Sequence, residues 1–67
     1  MSTISKQYQN TNNGGQERVM RAGNQYYINS YIPSVGWMGD RKVSLDQVKS
    51  CMAYTNAPAD VVTAILA

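Results

Sequence analysis

The stretch Glu17–Pro33, ERVMRAGNQYYINSYIP, decides how this chain folds. Two extended runs rich in Val, Tyr and Ile flank Gly23-Asn24, and a two-residue Gly-Asn loop is a standard hairpin connection because both residue types tolerate positive φ. The register follows from that turn: Ala22 faces Gln25, Arg21 faces Tyr26, Met20 faces Tyr27 and Val19 faces Ile28. Val19, Tyr26, Ile28 and Ile32 then share one face, the candidate core face. Pro33 removes a ladder donor and ends the second strand.

Downstream, VGWMGDRKVS (35–44) carries a weaker hairpin signal. Gly39-Asp40 suits a type II′ turn and would bring Trp37 opposite Lys42, although Gly36 weakens the strand leading into it. After Val43 the period changes to that of a helix. Ser44 and Gln47 have capping-box spacing, and Leu45, Val48 and Met52 recur at i, i+3 and i+7, with Cys51 widening the stripe. TNAP (55–58) stops this helix near Tyr54. Pro58 suits the first position of the next helix, and Asp60 places a negative charge in its first turn, where the dipole favours it. Val61, Val62, Ile65 and Leu66 give this last segment its apolar face. The β-branched Val61 and Val62 leave a strand open as the competing reading.

Upstream, residues 1–16 (MSTISKQYQNTNNGGQ) hold Ile4 and Tyr8 as their sizeable apolar side chains beyond Met1, among many Asn, Gln, Ser and Thr. So little apolar surface cannot balance the entropy of ordering the segment, which reads as a flexible polar arm held only by another chain. The expected fold is α+β: a β-meander of two to four strands followed by a C-terminal αα-hairpin, with the arm at 1–16 and a single small domain at 17–67.

At 67 residues, one such domain buries only about 60% of its unfolded surface and reaches a stability of roughly 3–5 kcal/mol. Cys51 is the only cysteine and there is no histidine, so neither an intramolecular disulfide nor a zinc cage can staple the fold. No metal and no cofactor are expected, and association is the natural supplement. A net charge of +2 is too small to argue for nucleic acid by itself. No apolar stretch approaches the roughly 20 residues of a membrane span, and no targeting signal is visible; the expected location is cytoplasmic.

The residue types present argue against catalysis. Without histidine a Ser or Cys nucleophile lacks its ordinary base, and Cys51 on an apolar stripe reads as an inert core thiol. Glu17, Asp40, Asp46 and Asp60 each have a local reason at a strand start, a turn or a helix start. Two binding classes remain. Trp37, Met38, Val61, Val62, Ile65 and Leu66 supply the aromatic, Met and aliphatic anchors of a protein interface. Arg18, Arg21, Tyr26, Tyr27, Arg41 and Lys42 supply guanidinium, ammonium and aromatic groups of the kind that neutralise phosphate and stack on bases.

The stretch from Val43 to Leu66, through Leu45, Val48, Met52, Ala53, Pro58, Asp60, Val61, Val62 and Ile65, resembles the opening helical hairpin of the HU/IHF histone-like DNA-binding proteins. It is most similar to the variant with an extra strand before the first helix, here the Tyr26-Tyr27 strand. The interhelical connection is about two residues shorter, and the family's DNA-gripping β-arms lie beyond the second helix, past the last residue of this sequence. The resemblance therefore implies a dimerising hairpin and carries no DNA contacts over. The same residues also resemble the hairpin of small three-helix modules of the ubiquitin-associated type. The leading expectation is a non-enzymatic assembly or interaction protein, self-associating or docked on a larger complex, in the cytoplasm or in a virion. Small polar chains of this kind are familiar among phage and mobile-element accessory proteins. The alternative is an HU-like nucleic-acid-binding module.

Overall fold

The computed structural model describes residues 3–67. In chain order it contains β1 (Thr3–Gln9), β2 (Gln16–Ala22), β3 (Gln25–Ile32), β4 (Gly36–Trp37), β5 (Arg41–Val43), α1 (Leu45–Tyr54) and α2 (Ala59–Leu66). The α+β expectation holds, with an antiparallel sheet followed by two C-terminal helices. β2 and β3 pair in the register read from the Gly23-Asn24 turn, with Val19 opposite Ile28 and Arg21 opposite Tyr26. Gly23 has φ 61° while Asn24 stays out of the positive-φ region, the pattern of a type II′ turn.

Two expectations are corrected. The residues read as a flexible arm are largely strand: Thr3–Gln9 pairs along its whole length with β2, from Thr3 opposite Ala22 to Gln9 opposite Gln16. The physical reason is that Ile4 and Tyr8, four residues apart, fall on the same face of a strand, and that face is the one the helices cover. Expectations for Met1 and Ser2 lie outside the described residues. The turn from β1 to β2 is closed by hydrogen bonds from Asn10 N–H to Gly15 O and from Gly14 N–H to Asn10 O, both 2.9 Å. Gly15 is required there, because a Cβ would lie 2.1 Å from the Tyr31 carbonyl oxygen.

The second correction concerns Gly39-Asp40. The chain turns earlier, where Val35 N–H donates to Ile32 O at 2.9 Å around Pro33 and Gly36 follows at φ 97°. A proline at the second turn position followed by a left-handed glycine is a three-residue hairpin loop. Trp37 therefore faces Tyr31, and Arg41, Lys42 and Val43 face Ile28, Tyr27 and Tyr26. Met38, Gly39 and Asp40 run past only Asn29 and Ser30, a one-residue bulge that makes β4 and β5 one interrupted fourth strand. Asn29 fastens the bulge, accepting from Gly39 N–H and donating to Asp40 Oδ1, each at 3.0 Å. Gly39 supplies its φ of 100°.

Both helices lie on one face of the sheet. The core consists of Tyr8, Val19, Tyr26 and Ile28 from the strands and Val48, Met52, Val61 and Ile65 from the helices. The capping box of α1 forms as expected, Gln47 N–H donating to Ser44 Oγ at 3.1 Å and Ser44 N–H to Gln47 Oε1 at 2.8 Å. The helix ends on Asn56 at φ 61°, with Ala57 N–H reaching Met52 O at 2.9 Å, the six-to-one bond of a Schellman motif. Pro58 is the N-cap of α2, one position earlier than expected, and Asp60 lies in its first turn.

Candidate functional site

Alternation along the strands assigns each sequence candidate to one of the two faces of the sheet. The covered face holds Tyr26, which is buried, and its cross-strand partner Arg21. Arg21 is occupied structurally: its Nη1 donates to Ile65 O at 3.0 Å and Ala67 O at 2.6 Å, and its Nε to Gly23 O at 2.9 Å. A guanidinium on the last carbonyls of α2 satisfies acceptors that have no partner within the helix and complements the dipole. Arg41, opposite Ile28, belongs to the same side and donates to Ser30 Oγ at 3.3 Å. Burial of Tyr26 and the contacts of Arg21 to α2 remove those two from the nucleic-acid candidates, whereas Arg41 shares their side of the sheet but stays exposed.

The other face carries no helix. Arg18, Tyr27 and Lys42 remain there, joined by Tyr31 and Trp37. The Tyr31 and Trp37 rings meet edge to face at 5.4 Å between centroids, and the Arg18 guanidinium lies 4.4 Å from the centre of the Trp37 ring. Arg18 is further held by Gln7, whose Oε1 accepts from its Nη2 at 3.1 Å, while Gln7 Nε2 donates to Gln16 Oε1 at 3.1 Å. Tyr27 OH donates to Gln25 Oε1 at 2.6 Å. The face is thus a cationic and aromatic plate edged by neutral amides. Tyr31, four residues beyond Tyr27 on β3, shares its face, as strand alternation requires.

At the β3–β4 end of this plate lies an apolar rim. Val35 is 66% exposed, Met38 52% and Trp37 40%. Trp37 and Met38 are therefore accessible, as an interface needs. The C-terminal candidates divide differently: Val61 and Ile65 are buried in the chain's own core, and Val62 and Leu66 pack half-buried against it. The expectation that this run is an interface is corrected for Val61 and Ile65, since α2 turns their face onto β1 and β2.

Three further titratable groups, Glu17, Tyr8 and Cys51, lie in or against the core. Glu17 is buried opposite Tyr8, accepting from Asn10 Nδ2 at 3.1 Å and Ser30 Oγ at 2.6 Å. Tyr8 OH lies 2.6 Å from Thr55 Oγ1, which itself donates to Cys51 O at 2.6 Å, so the phenol is the donor in this chain. Burial pushes the Tyr8 phenol up to about 12, and burial likewise pushes the Cys51 thiol up, leaving it a poor nucleophile at neutral pH. Among the described residues no three His, Cys, Asp or Glu side chains cluster to hold a metal, and no helix is long and apolar enough to cross a membrane. No protein-family model, curated protein or solved structure matches the chain.

Proposed function

We propose that this chain is a non-enzymatic interaction protein that docks on a protein partner, a second copy of itself or a larger assembly, through the Val35–Trp37–Met38 rim. The observation that carries this reading is the coincidence of three large exposed apolar side chains with the Arg18–Trp37–Tyr31 stack at one end of the sheet. Trp, Tyr and Arg are the residue types that dominate interface energetics, and each Val or Met side chain removed from water is worth about 1.5–3 kcal/mol. Each carboxylate has a structural place that is consistent with this reading: Glu17 and Asp40 are engaged by neighbouring amides and a hydroxyl, and Asp46 and Asp60 occupy first turns of helices. The test is a Trp37→Ser/Met38→Ser double variant, which alters no core residue and should unfold at nearly the same denaturant concentration as the wild type. Light scattering gives the mass of both proteins, and quantitative mass spectrometry compares what each retains from its host's extract. Identical masses together with identical retained proteins would remove the rim from consideration.

A second reading, nucleic-acid binding, is favoured by one specific observation: Arg18, Tyr27 and Lys42 lie together on the helix-free face with Tyr31 and Trp37. The rim and this face share Trp37, so a protein partner and a nucleic acid would compete for it.

A further inference from the structure

We infer that the helix-free face of the sheet takes a single strand of nucleic acid, stacking bases on Tyr27, Tyr31 and the Arg18–Trp37 pair while Lys42 and Arg18 meet the phosphates. This inference rests on the nucleic-acid reading above and narrows it to unpaired bases.

Three observations converge on it. The first is charge. The strand side chains on this face include Arg18 and Lys42 and no carboxylate. Glu17 points to the covered side, Asp46 and Asp60 ride on the helices, and Asp40, in the bulge at the rim, accepts a hydrogen bond from Asn29. Phosphate thus meets two cations on the strands of this face and one carboxylate, that of Asp40, which Asn29 holds between Tyr27 and Tyr31.

The second is the geometry of the aromatic groups. Tyr27 and Tyr31 are four residues apart on β3, hence about 13 Å apart along the strand, and Trp37 extends the second platform sideways from Tyr31. Open sheets that present aromatic side chains stack about two or three splayed bases, and a guanidinium plane serves the same purpose as a ring. Arg18, laid over the indole, offers that plane with a charge in it.

The third is the chemistry around the platforms. Gln7, Gln16 and Gln25 supply amide donors and acceptors without charge, suited to base edges whose Watson–Crick groups are free. A duplex hides both the base faces and those edges, so it can use only the two cations of this surface.

Trp37 is the only tryptophan and reports stacking directly. The 67-residue chain is titrated at low salt with dT and rU oligomers of about 12 nucleotides, within the site sizes of single-strand binders, with a blunt duplex of equal length, and with polyglutamate as a polyanion that cannot stack. Both single strands, or one of them if the 2′-hydroxyl is read, should quench Trp37 and bind at least tenfold more tightly than the duplex. Tyr27→Ala and Tyr31→Ala should each weaken binding by about fivefold or more. Lys49→Gln, an exposed charge on α1, should leave it unchanged, and thermal melts verify that each variant is folded. Duplex binding equal to or tighter than single-strand binding overturns the inference and leaves the nucleic-acid reading standing. Polyglutamate binding as tightly as dT overturns both in favour of an acidic protein surface, and no binding to any oligonucleotide overturns both outright.

Discussion

Replacing Tyr8 tests whether the first strand belongs to the domain or merely lies on it. Tyr8 is 6% exposed and sits in the core between Glu17 of β2 and the turn that joins the helices. Tyr8→Ala removes a buried aromatic ring, a loss of about 3–5 kcal/mol, against a total of roughly 3–5 kcal/mol for a domain of this size. That variant should be largely unfolded in water. Tyr8→Phe keeps the ring and loses one hydrogen bond, the 2.6 Å contact to Thr55, so it should cost only about 0.5–1.5 kcal/mol. Gln7→Ala, on the exposed face of the same strand, should fall within about 0.5 kcal/mol of the wild type. Urea unfolding followed by far-ultraviolet circular dichroism measures all three. If Tyr8→Ala unfolds at the wild-type midpoint, β1 contributes nothing to stability, and the N-terminal segment is an arm after all.

Two further outcomes follow from the same geometry. Gly15→Ala should destabilise by about 1–3 kcal/mol, because the new methyl would lie 2.1 Å from the Tyr31 carbonyl and must separate β2 from β3; Gly14→Ala, at φ 75° with nothing within 4 Å, should cost only about 1 kcal/mol, and equal denaturation midpoints for the two would contradict the close approach. In alkali, a Tyr8 pKa raised to about 12 from 10.0 means that the unfolded chain loses this proton first: the stabilisation is complete below pH 10, falls as the pH rises towards 12, and should be missing from the pH profile of Tyr8→Phe.

The parts of the fold governed by short-range chemistry were legible. Gly23-Asn24 fixed the register of β2 against β3, and Ser44 with Gln47 placed the start of α1, because a turn and a cap are each decided by a few adjacent residues. Gly39-Asp40 misled because a left-handed glycine serves a bulge as well as a turn. The competing signal was Pro33 with Gly36, three residues apart, where positive φ rather than strand weakness was the relevant property of Gly36. β1 was hidden for a different reason. Its composition is that of a disordered segment, and what orders it, the ladder to β2 and the Tyr8–Thr55 contact 47 residues away, is nonlocal. The mixture of faces among the binding candidates could have been avoided, since the register that sets Tyr26 beside Val19 and Ile28 already turns Tyr26 and Arg21 away from Tyr27.

The sheet edges narrow how the chain can associate. β1 leaves one side of its ladder unpaired over Thr3–Gln9, with no proline to block a further strand. Such an edge invites pairing with a second copy unless it is guarded. The guard is Lys6: antiparallel pairing of two β1 strands centred on this strand would set Lys6 against its own copy, and like charges directly opposite are destabilising. Sliding the register by two residues separates the charges but gives up ladder bonds at both ends. At the opposite edge the fourth strand is short and broken by the Met38–Asp40 bulge, a second device that discourages strand addition. With both edges guarded, the aromatic plate and the rim beside it remain open to a partner, as do Leu45 and Tyr54 on the outer side of α1. Replacing Lys6 by Thr should therefore promote association through the edge without altering binding at Trp37, which separates the two modes.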